Sequence, residues 1–400
     1  MKFTPNKLMI GLFSTILVVV PLITAFSPKL ERSEMENRSL AKMPTLINDT
    51  KWEKAENLND YIDAIKFDYL NKRDGTAFKD DFETYFCDHL VGRELWVKLC
   101  NQIQMAAGKQ EINEVYTLKN QMIQSFKEYD KAALENAIDA INIFAERHPE
   151  LETSIMVAPT AQEIFFNKLP GYAGLLNQRL FIDMIYDQMN IPTINVLDEM
   201  HNHSDEYIYY RTDHHWTSLG AYYAYCSAAE TLGFDPISLE EFDIERASDS
   251  FKGTLYSKTL DDRINSDIID YYHWKNEPSI KMSCNDGMNI TEYDSLYVRD
   301  WLDVKDKYSS FTGSNVPVVD IETDIDNDKS ILIIKDSYAH SLAPFLANHY
   351  SRITMVDMRY INSDLNRVVD LEDYDQVLFM YNAITFAQDA NNINKLKITK

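Results

Sequence analysis

Short apolar segments alternate with segments of helical periodicity along this chain, and that alternation limits the folds open to it. Residues 154–157 and 331–334 are apolar runs of the length of a buried strand. Residues 130–148 and 218–232 place apolar side chains at helical spacing. Strand and helix in turn are typical of a parallel sheet covered by helices. The sequence therefore predicts an α/β fold with a parallel sheet flanked by helices.

Residues 234–329 interrupt this alternation. The stretch is polar and rich in aromatic side chains, and we interpret it as an insertion into the sheet or a cap on it. Its aromatic residues include Tyr271, Tyr272 and Trp274, whose ring faces suit packing on sugars while their polar tips form hydrogen bonds. A buried core is the alternative role for the same residues. We expect these three to form a stacking surface for a glycan.

An apolar segment precedes the predicted domain. Residues 8–26 contain no charged side chain and are long enough to cross a bilayer. The same pattern fits a secretory signal peptide, although Ile23 stands where a cleavage site needs a small residue. We predict a signal anchor or signal peptide over residues 1–27, a linker over residues 28–50 and one domain over residues 51–400. That domain should lie outside the cytoplasm, tethered to the membrane by the apolar segment, or secreted if the segment is cleaved.

Charge and motif content exclude several classes of function. The chain has 39 Lys and Arg against 63 Asp and Glu, a formal charge of −24, whereas binding to duplex phosphates needs a basic surface. We therefore expect no nucleic-acid partner. Neither a G-x-G-x-x-G motif nor a P-loop motif occurs, so the sequence gives no support for a dinucleotide or P-loop phosphate site. We expect no cofactor.

A histidine-rich segment carries the first chemical signal. Asp213 and His215 stand two positions apart, just before the helix predicted over residues 218–232. In an extended segment that spacing puts both side chains on one face, where the carboxylate fixes the tautomer of the imidazole and stabilises its charged form. His214 points the other way. A metal site at these histidines is the alternative, but no known metal-ligand spacing supports it, and we expect no metal.

Ser337 is the candidate nucleophile for such a base. An apolar strand runs into Ser337, and a helical pattern starts directly after it. That arrangement exposes a hydroxyl at a sheet edge, as nucleophile elbows do, and the N–H groups that follow can stabilise an oxyanion. The same position also fits a plain helix cap, and spacing alone does not separate the two roles. We predict that His215 and Ser337 come within hydrogen-bond reach of each other.

Several motifs together resemble the DHHW protein family, whose namesake tetrad stands here as Asp213-His214-His215-Trp216. Further shared motifs are Glu36-Asn37-Arg38, Phe82-Glu83-x-Tyr85-Phe86, Gly92-Arg93-Glu94, Asp306-Lys307-Tyr308, Lys335-Asp336-Ser337-Tyr338-Ala339 and Asp357-Met358-Arg359-Tyr360. The family is similar to a branch of the SGNH-like hydrolases that includes the alginate O-acetylation enzymes. The resemblance implies that residues 51–400 form an SGNH-like catalytic domain, in which Asp213 orients His215, His215 is the base and Ser337 is the nucleophile.

The resemblance also implies binding residues near the nucleophile. Asn382 is the candidate for the oxyanion asparagine of the superfamily, and Asn315 is a rival for that role. Arg359 is a candidate for positioning an acyl or sugar group, with pairing to a carboxylate as its alternative role. Lys335 stands where the superfamily usually has the glycine of its Gly-Asp-Ser motif, which leaves the oxyanion donors open.

The function that the resemblance implies is O-acyl transfer, in particular O-acetyl transfer, to a surface or cell-wall polysaccharide. An acyl-serine intermediate is expected. Because acetyl-CoA is unavailable outside the membrane, the resemblance also implies a membrane-bound acyl-transfer partner. A carbohydrate esterase of the same fold and a non-catalytic glycan-binding or assembly protein are the alternatives. From the net charge we expect a neutral or weakly charged glycan acceptor.

Overall fold

The computed structural model describes residues 5–66, 69 and 78–399. The chain divides into two compact units, unit 1 (Met1–Lys109) and unit 2 (Gln110–Lys400). The predicted linker over residues 28–50 lies within unit 1. Residues 51–109, which the sequence predicts to belong to the catalytic domain, lie in unit 1 as well.

Unit 1 is mainly helical in the residues described. Helix α1 (Pro5–Phe26) contains a segment, Met9–Phe26, that is long and apolar enough to cross a membrane. This segment coincides with the predicted signal or anchor. The further elements of unit 1 are β1 (Arg32–Ser33), β2 (Arg38–Ser39), α2 (Asp49–Glu53), α3 (Leu58–Asp63), α4 (Phe78–Asp88) and α5 (Arg93–Ala106).

Two of the sequence motifs of unit 1 meet in one ion-pair cluster. Arg38 donates hydrogen bonds to Glu36 and to Asp88, and Arg93 pairs with the same two carboxylates. The hydrogen bond from the Arg38 guanidinium lowers the pKa of Asp88, against the opposing effect of burial. The cluster joins the β1–β2 hairpin to α4 and α5, which gives these motifs a structural role within unit 1.

Unit 2 contains the main sheet together with a three-stranded sheet and a two-stranded hairpin. Its strands are β3 (Glu111–Ile112), β4 (Val115–Leu118), β5 (Gln121–Gln124), β6 (Glu152–Ala158), β7 (Thr193–Ile194), β8 (Phe242–Phe251), β9 (Asp267–Trp274), β10 (Ile280–Asn285), β11 (Ile290–Tyr293), β12 (Val318–Thr323), β13 (Ser330–Lys335), β14 (Arg352–Val356) and β15 (Gln376–Asn382). Its helices are α6 (Lys131–Arg147), α7 (Ala161–Ile164), α8 (Gln178–Tyr186), α9 (Leu197–Asn202), α10 (Ser218–Leu232), α11 (Thr254–Thr259), α12 (Ala339–Leu346), α13 (Ala383–Gln388) and α14 (Ala390–Ile393).

The main sheet has eight strands in the order β11-β10-β12-β14-β13-β15-β6-β7. The strands from β14 to β7 are parallel to one another, which confirms the predicted α/β fold. Side chains of the central strand β13 alternate between two hydrophobic clusters: Ile331 and Ile333 contribute to one, Leu332 and Ile334 to the other. Because successive side chains of a strand point to opposite faces, the two clusters cover the two faces of the sheet.

Two helices confirm the periodicity of the sequence. Helix α6 turns Leu134, Ile138 and Ile141 into the core, as their spacing predicts. Helix α10 begins after Thr217, whose hydroxyl accepts the N–H of a residue in the first turn. It ends at Gly233, where φ is 70°, a left-handed conformation that glycine adopts at little cost.

The insertion over residues 234–329 extends the sheet as well as covering it. Strands β10, β11 and β12 continue the sheet in antiparallel pairing, and β8 pairs with β9 in a separate hairpin. Tyr271 and Tyr272 of β9 are buried in two different hydrophobic clusters, and Trp274 packs against the larger of them. The expected stacking surface at these three residues is therefore wrong, because β9 is covered on both faces.

Candidate active site

The carboxyl edge of the parallel strands gathers most of the predicted site residues. Ser337 follows β13, Arg359 follows β14 and Asn382 ends β15. Because β12 runs antiparallel to β14, its first residue lies at the same edge, and Asn315 comes shortly before it. Open sheets of parallel strands place their ligand sites at this edge. The fold thus explains why residues far apart in the sequence converge there.

Asp213 and His215 reach this edge from a loop that precedes α10. The N-cap of α10, Thr217, fixes where the loop ends. The indole of Trp216 is fully buried, and its Nε1 donates a hydrogen bond to Ser341 Oγ in α12 at 2.9 Å. This contact fastens the loop to the helix that follows the candidate nucleophile.

His215 lies between Asp213 and Ser337. His215 Nδ1 is 2.5 Å from Asp213 Oδ1, and His215 Nε2 is 2.6 Å from Ser337 Oγ. An ionised carboxylate only accepts hydrogen bonds, so Nδ1 carries a proton and Nε2 of the neutral ring presents its lone pair to the hydroxyl. The predicted approach of His215 to Ser337 is present in the structure. This arrangement can deprotonate a serine hydroxyl as it attacks.

The carboxylate of Asp213 is buried and strongly held. Burial by itself raises the pKa of Asp213, but electrostatic interactions with the neighbouring His215 and His214, together with hydrogen bonds from His215 and Thr254, outweigh it and hold the pKa well below its usual range. The Thr254 N–H lies 2.7 Å and its Oγ1 3.0 Å from Asp213 Oδ2. A Cβ added to Gly253 would lie only 2.2 Å from Asp213 Oδ2, so this close approach of the insertion requires glycine.

Tyr308, another residue of the insertion, packs directly against His215. The two rings are parallel within 7°, with their centroids 3.7 Å apart. The Tyr308 hydroxyl donates a hydrogen bond to the carbonyl of Ser337 at 3.0 Å. Tyr308 therefore fixes both the plane of the imidazole and the backbone of the candidate nucleophile. The sequence indicates Tyr308 only as a member of a motif, because the contact joins segments with no shared periodicity.

The N–H groups near Ser337 differ in their availability to a substrate oxygen. The N–H of Tyr338 donates to Asp336 Oδ1 at 2.8 Å, and that of Ala339 donates to the Asp336 carbonyl at 3.4 Å. Within residues 78–399, no acceptor meets the N–H of Ser337 itself. The N–H of Ser337 is therefore the backbone donor without a protein acceptor at this turn, whereas the N–H groups that follow it, which the sequence suggests as oxyanion donors, are already bonded.

Asn382 anchors the elbow from the neighbouring strand. Its Nδ2 donates to Asp336 Oδ2 and to Thr385 Oγ1, both at 2.7 Å, so both amide hydrogens have acceptors. Its Oδ1 accepts the N–H groups of Ile384 and Thr385 at 3.0 Å and thereby caps α13. To act as the expected oxyanion donor, Asn382 would have to give up one of these hydrogen bonds.

Arg359 and Asn315, the other predicted binding residues, both have partners within the protein. The Arg359 guanidinium forms two hydrogen bonds with Asp357, at 2.9 and 2.6 Å, and lies 3.6 Å from Asp389. Asn315 is an exposed residue whose Oδ1 lies 3.0 Å from Nε2 of the buried His340, at the edge of a polar cluster. Hydrogen bonds thus connect Arg359 with Asp357 and Asn315 with His340, whereas Ser337 Oγ bonds His215.

Lys335 explains the polarity of that buried cluster. Its ammonium is fully buried, 2.8 Å from His340 Nε2 and 3.7 Å from Asp357 Oδ2. Burial lowers the pKa of Lys335 to about 8, although Asp357 opposes the shift. The side chain that replaces the usual glycine of the motif therefore points beneath the elbow and leaves the hydroxyl of Ser337 accessible to His215.

A cleft of about 230 Å³ opens beside this site. Its wall includes His214 and Thr254, which border Asp213, and Arg359 and Asn382, which lie at the carboxyl ends of β14 and β15. The other lining residues are Gln124, Thr160, Ala161, Gln162, Leu255, Lys258, Ile384, Thr385 and Gln388. Neutral polar groups dominate this lining, which suits a ligand that forms many hydrogen bonds.

Asp213, His214 and His215 also stand close enough together to hold a metal ion, with ligand atoms within 4.8 Å of one another. In the structure, however, both nitrogens of His215 face protein partners, Asp213 and Ser337. Nδ1 of His214 likewise faces Thr254 Oγ1 at 2.7 Å. Apart from His214 Nε2, the nitrogen donors of this set are therefore engaged in hydrogen bonds that suit acid–base chemistry.

Comparisons with known proteins point to the same fold. The DHHW protein family model matches residues 152–356. A crystal structure of a DHHW family protein from Eubacterium siraeum has 27% sequence identity and a TM-score of 0.64, covering 72% of this chain and 98% of its own. PatB1 from Bacillus cereus, solved with a sulfonyl adduct, has 18% identity and a TM-score of 0.59, covering 72% of this chain and 100% of its own. The O-acetyltransferase domain of Pseudomonas putida AlgJ is less similar, with 14% identity and a TM-score of 0.42 over 71% of this chain and 98% of its own. No curated protein sequence matches the chain.

Proposed function

Because this chain belongs to the DHHW protein family, we propose that it is a serine-dependent O-acyltransferase that modifies a surface or cell-wall polysaccharide, with acetyl as the acyl group. One observation carries the proposal. His215 Nε2 lies 2.6 Å from Ser337 Oγ while Asp213 holds the opposite ring nitrogen. A base fixed in this tautomer beside a serine hydroxyl supports nucleophilic catalysis.

In the first half of the reaction Ser337 takes the acyl group from a donor. His215 Nε2 removes the proton of Ser337 Oγ as that oxygen attacks the carbonyl carbon of the donor. The negative charge that develops on the carbonyl oxygen is stabilised by the N–H of Ser337. Asp213 stays ionised and stabilises the imidazolium, and His215 then gives its proton to the leaving group.

In the second half the acyl group moves from Ser337 to a hydroxyl of the glycan. His215 deprotonates that hydroxyl, whose oxygen attacks the acyl carbon, and returns the proton to Ser337 Oγ as the ester bond to the enzyme breaks. Water that attacks in place of the glycan gives an esterase. Transfer therefore depends on how well the protein holds an acceptor at the acyl-serine and excludes water from it.

Helix α1 supports the proposed location outside the cytoplasm. Met9–Phe26 is long and apolar enough to cross a membrane and lies near the N-terminus, where an anchor or a signal peptide would lie. A chain held on the extracytoplasmic side of the membrane needs an acyl donor that is delivered to that side. The proposal therefore includes a membrane-bound acyl-transfer partner.

The test is covalent labelling of Ser337. In separate reactions, we expect the full chain to gain one acetyl group from p-nitrophenyl acetate or one sulfonyl group from an aryl sulfonyl fluoride. In each case peptide mass spectrometry should place the group on Ser337. The sulfonyl adduct of PatB1 supports the choice of reagent. The matched control is Ser337→Ala, which should take up neither group. Equal labelling of the control, or a label at another residue, would contradict the proposal.

A second measurement separates the proposed transferase from its alternatives. The acetyl-enzyme is supplied with neutral oligosaccharides, and the acetylated glycan and free acetate are both quantified. Acetylated glycan supports a transferase, acetate alone indicates an esterase, and an unlabelled Ser337 leaves a non-catalytic glycan-binding protein as the better description.

A further inference from the structure

His214 presents one unoccupied ring nitrogen to the cleft. Its Nδ1 is 2.7 Å from Thr254 Oγ1, and its side chain is 27% exposed along the cleft wall. Within the described residues, no protein group meets His214 Nε2. The expectation that His214 points away from Asp213 and His215 is wrong, because its Nδ1 is 3.5 Å from Asp213 Oδ1 and the rings of His214 and His215 lie 3.8 Å apart between centroids. The free nitrogen therefore belongs to the immediate surroundings of the proposed base.

Hydrogen bonding fixes which atom of His214 can accept. Thr254 Oγ1 donates its proton to the ionised carboxylate of Asp213, at 3.0 Å, because a carboxylate has no proton to offer. Thr254 Oγ1 must therefore accept from His214, which places the ring proton on Nδ1. Burial and the nearby His215 lower the pKa of His214 to about 4, so the ring is neutral. Nε2 thus carries a lone pair directed to a partner with an O–H or N–H group.

We propose that the cleft binds acceptors with two neighbouring hydroxyl groups, and that His214 Nε2 accepts a hydrogen bond from the hydroxyl that does not react. The proposal rests on the proposed transferase function and names the acceptor class, a vicinal diol such as a sugar ring presents. The reacting hydroxyl donates to His215 Nε2, and its neighbour donates to His214 Nε2. Neither histidine can serve both hydroxyls, because each ring has one nitrogen bound within the protein.

The transfer step balances in this arrangement. The reacting O–H gives its proton to His215 Nε2, its oxygen forms the new ester bond to the acyl carbon, and the bond from that carbon to Ser337 Oγ breaks. His215 then protonates Ser337 Oγ. The second hydroxyl keeps its proton throughout, and its hydrogen bond to His214 only positions the acceptor.

The test compares acceptors that differ by one hydroxyl. The full chain is acetylated with p-nitrophenyl acetate, and transfer to trans-1,2-cyclohexanediol, cis-1,2-cyclohexanediol and cyclohexanol is measured per reactive hydroxyl. One neutral hydrogen bond contributes about 1 kcal/mol, so we expect wild type to prefer one of the diols to cyclohexanol about fivefold. In His214→Phe the preference should fall to about one. His203→Phe, a change of an ion-paired histidine outside the cleft, should keep the wild-type preference.

The outcomes separate this inference from the proposed function. Failure to acetylate Ser337 overturns the proposed function itself. If Ser337 is acetylated but wild type shows no preference for either diol, or transfers to neither acceptor class, the acceptor site is wrong. If His214→Phe keeps the wild-type preference, the second hydroxyl binds elsewhere and the role of His214 is overturned. The preference is a ratio within one variant, so a general loss of activity does not alter its meaning.

Discussion

The absence of a side chain at Gly253 allows the Asp213 carboxylate to stay within hydrogen-bond distance of His215. A Cβ at this position would lie 2.2 to 2.6 Å from three atoms of the Asp213 side chain, which is well inside contact distance. We expect Gly253→Ala to displace the carboxylate and slow the acetylation of Ser337 about 100-fold, because misplacement of a catalytic group by about 1 Å has effects of this size. Stopped-flow release of p-nitrophenol measures the rate.

Gly171→Ala is the matched control for this prediction, because a Cβ there meets nothing within 4 Å. It should acetylate Ser337 at the wild-type rate. An unchanged rate in Gly253→Ala would show that Asp213 moves freely, and would count against its role in orienting His215.

Lys335 links the charge under the elbow to the stability of the protein. Burial lowers the pKa of Lys335 to about 8, against about 10.4 in an unfolded chain. Between these values the unfolded chain binds more protons, so the free energy of unfolding rises with pH in this interval and the contribution is absent below it. We expect wild type to gain about 2 kcal/mol more than Lys335→Met between pH 7.5 and 9.5. Urea unfolding at several pH values measures the difference, and equal pH slopes would contradict it.

At the scale of elements, the strand–turn–helix that carries Ser337 depends on its neighbour β15. Asn382 caps α13 and also holds the carboxylate of Asp336, which in turn bonds the N–H of Tyr338. The loss of an N-cap costs about 1 kcal/mol, and leaving buried hydrogen-bonding atoms of Asp336 without a partner costs about 1–3 kcal/mol. Asn382 therefore affects the position of Ser337 indirectly, because it links β15 and α13 to the turn that carries Ser337.

We therefore expect Asn382→Ala to lower the free energy of unfolding by about 2–4 kcal/mol and to slow acetylation of Ser337 as the elbow loosens. Thermal and urea unfolding, measured beside the acetylation rate, test this. An oxyanion donor would behave differently, with a slower reaction and unchanged stability. That second pattern would restore the role that the sequence suggested for Asn382.

The sequence predicts those elements whose signal is local. The period of α6, the extent of α10 over residues 218–232 and the apolar run before Ser337 depend only on neighbouring residues, and all three are present in the structure. Tyr308 and Gly253 escape prediction because their role is a contact across the fold. Nothing in the spacing around either residue indicates a ring stacked on His215 or a backbone pressed against Asp213.

The predicted stacking surface in the aromatic insertion is wrong for a related reason. The sequence shows that residues 271 and 272 are tyrosines with large aromatic rings, but it does not show whether other side chains cover those rings. In the structure the faces of β9 meet two different clusters, so that alternation along the strand buries both residues. The insertion contributes to the site through Thr254 and Tyr308 instead.

For the molecule as a whole, the division into two units separates the site from the apolar helix. Asp213, His215 and Ser337 all lie in unit 2, whereas Met9–Phe26 lies in unit 1. The DHHW family protein of Eubacterium siraeum covers 72% of this chain with 98% of its own length, about the share that residues 110–400 represent. A chain of that length therefore suffices for the fold in a related protein.

We expect residues 110–400, expressed alone, to fold and to acetylate Ser337 within about threefold of the full-chain rate, because every hydrogen bond of the Asp213–His215–Ser337 arrangement lies inside unit 2 and a fixed local geometry sets the rate. Cooperative unfolding and p-nitrophenol release measure the two properties, with Ser337→Ala in the same fragment as the control. Because the fragment lacks Met9–Phe26, it should stay in the soluble fraction when the full chain sediments with membranes. A folded fragment that reacts at a small fraction of the full-chain rate would show that unit 1 takes part in the chemistry. Sedimentation of both forms with membranes would show that the apolar helix is not what tethers the protein.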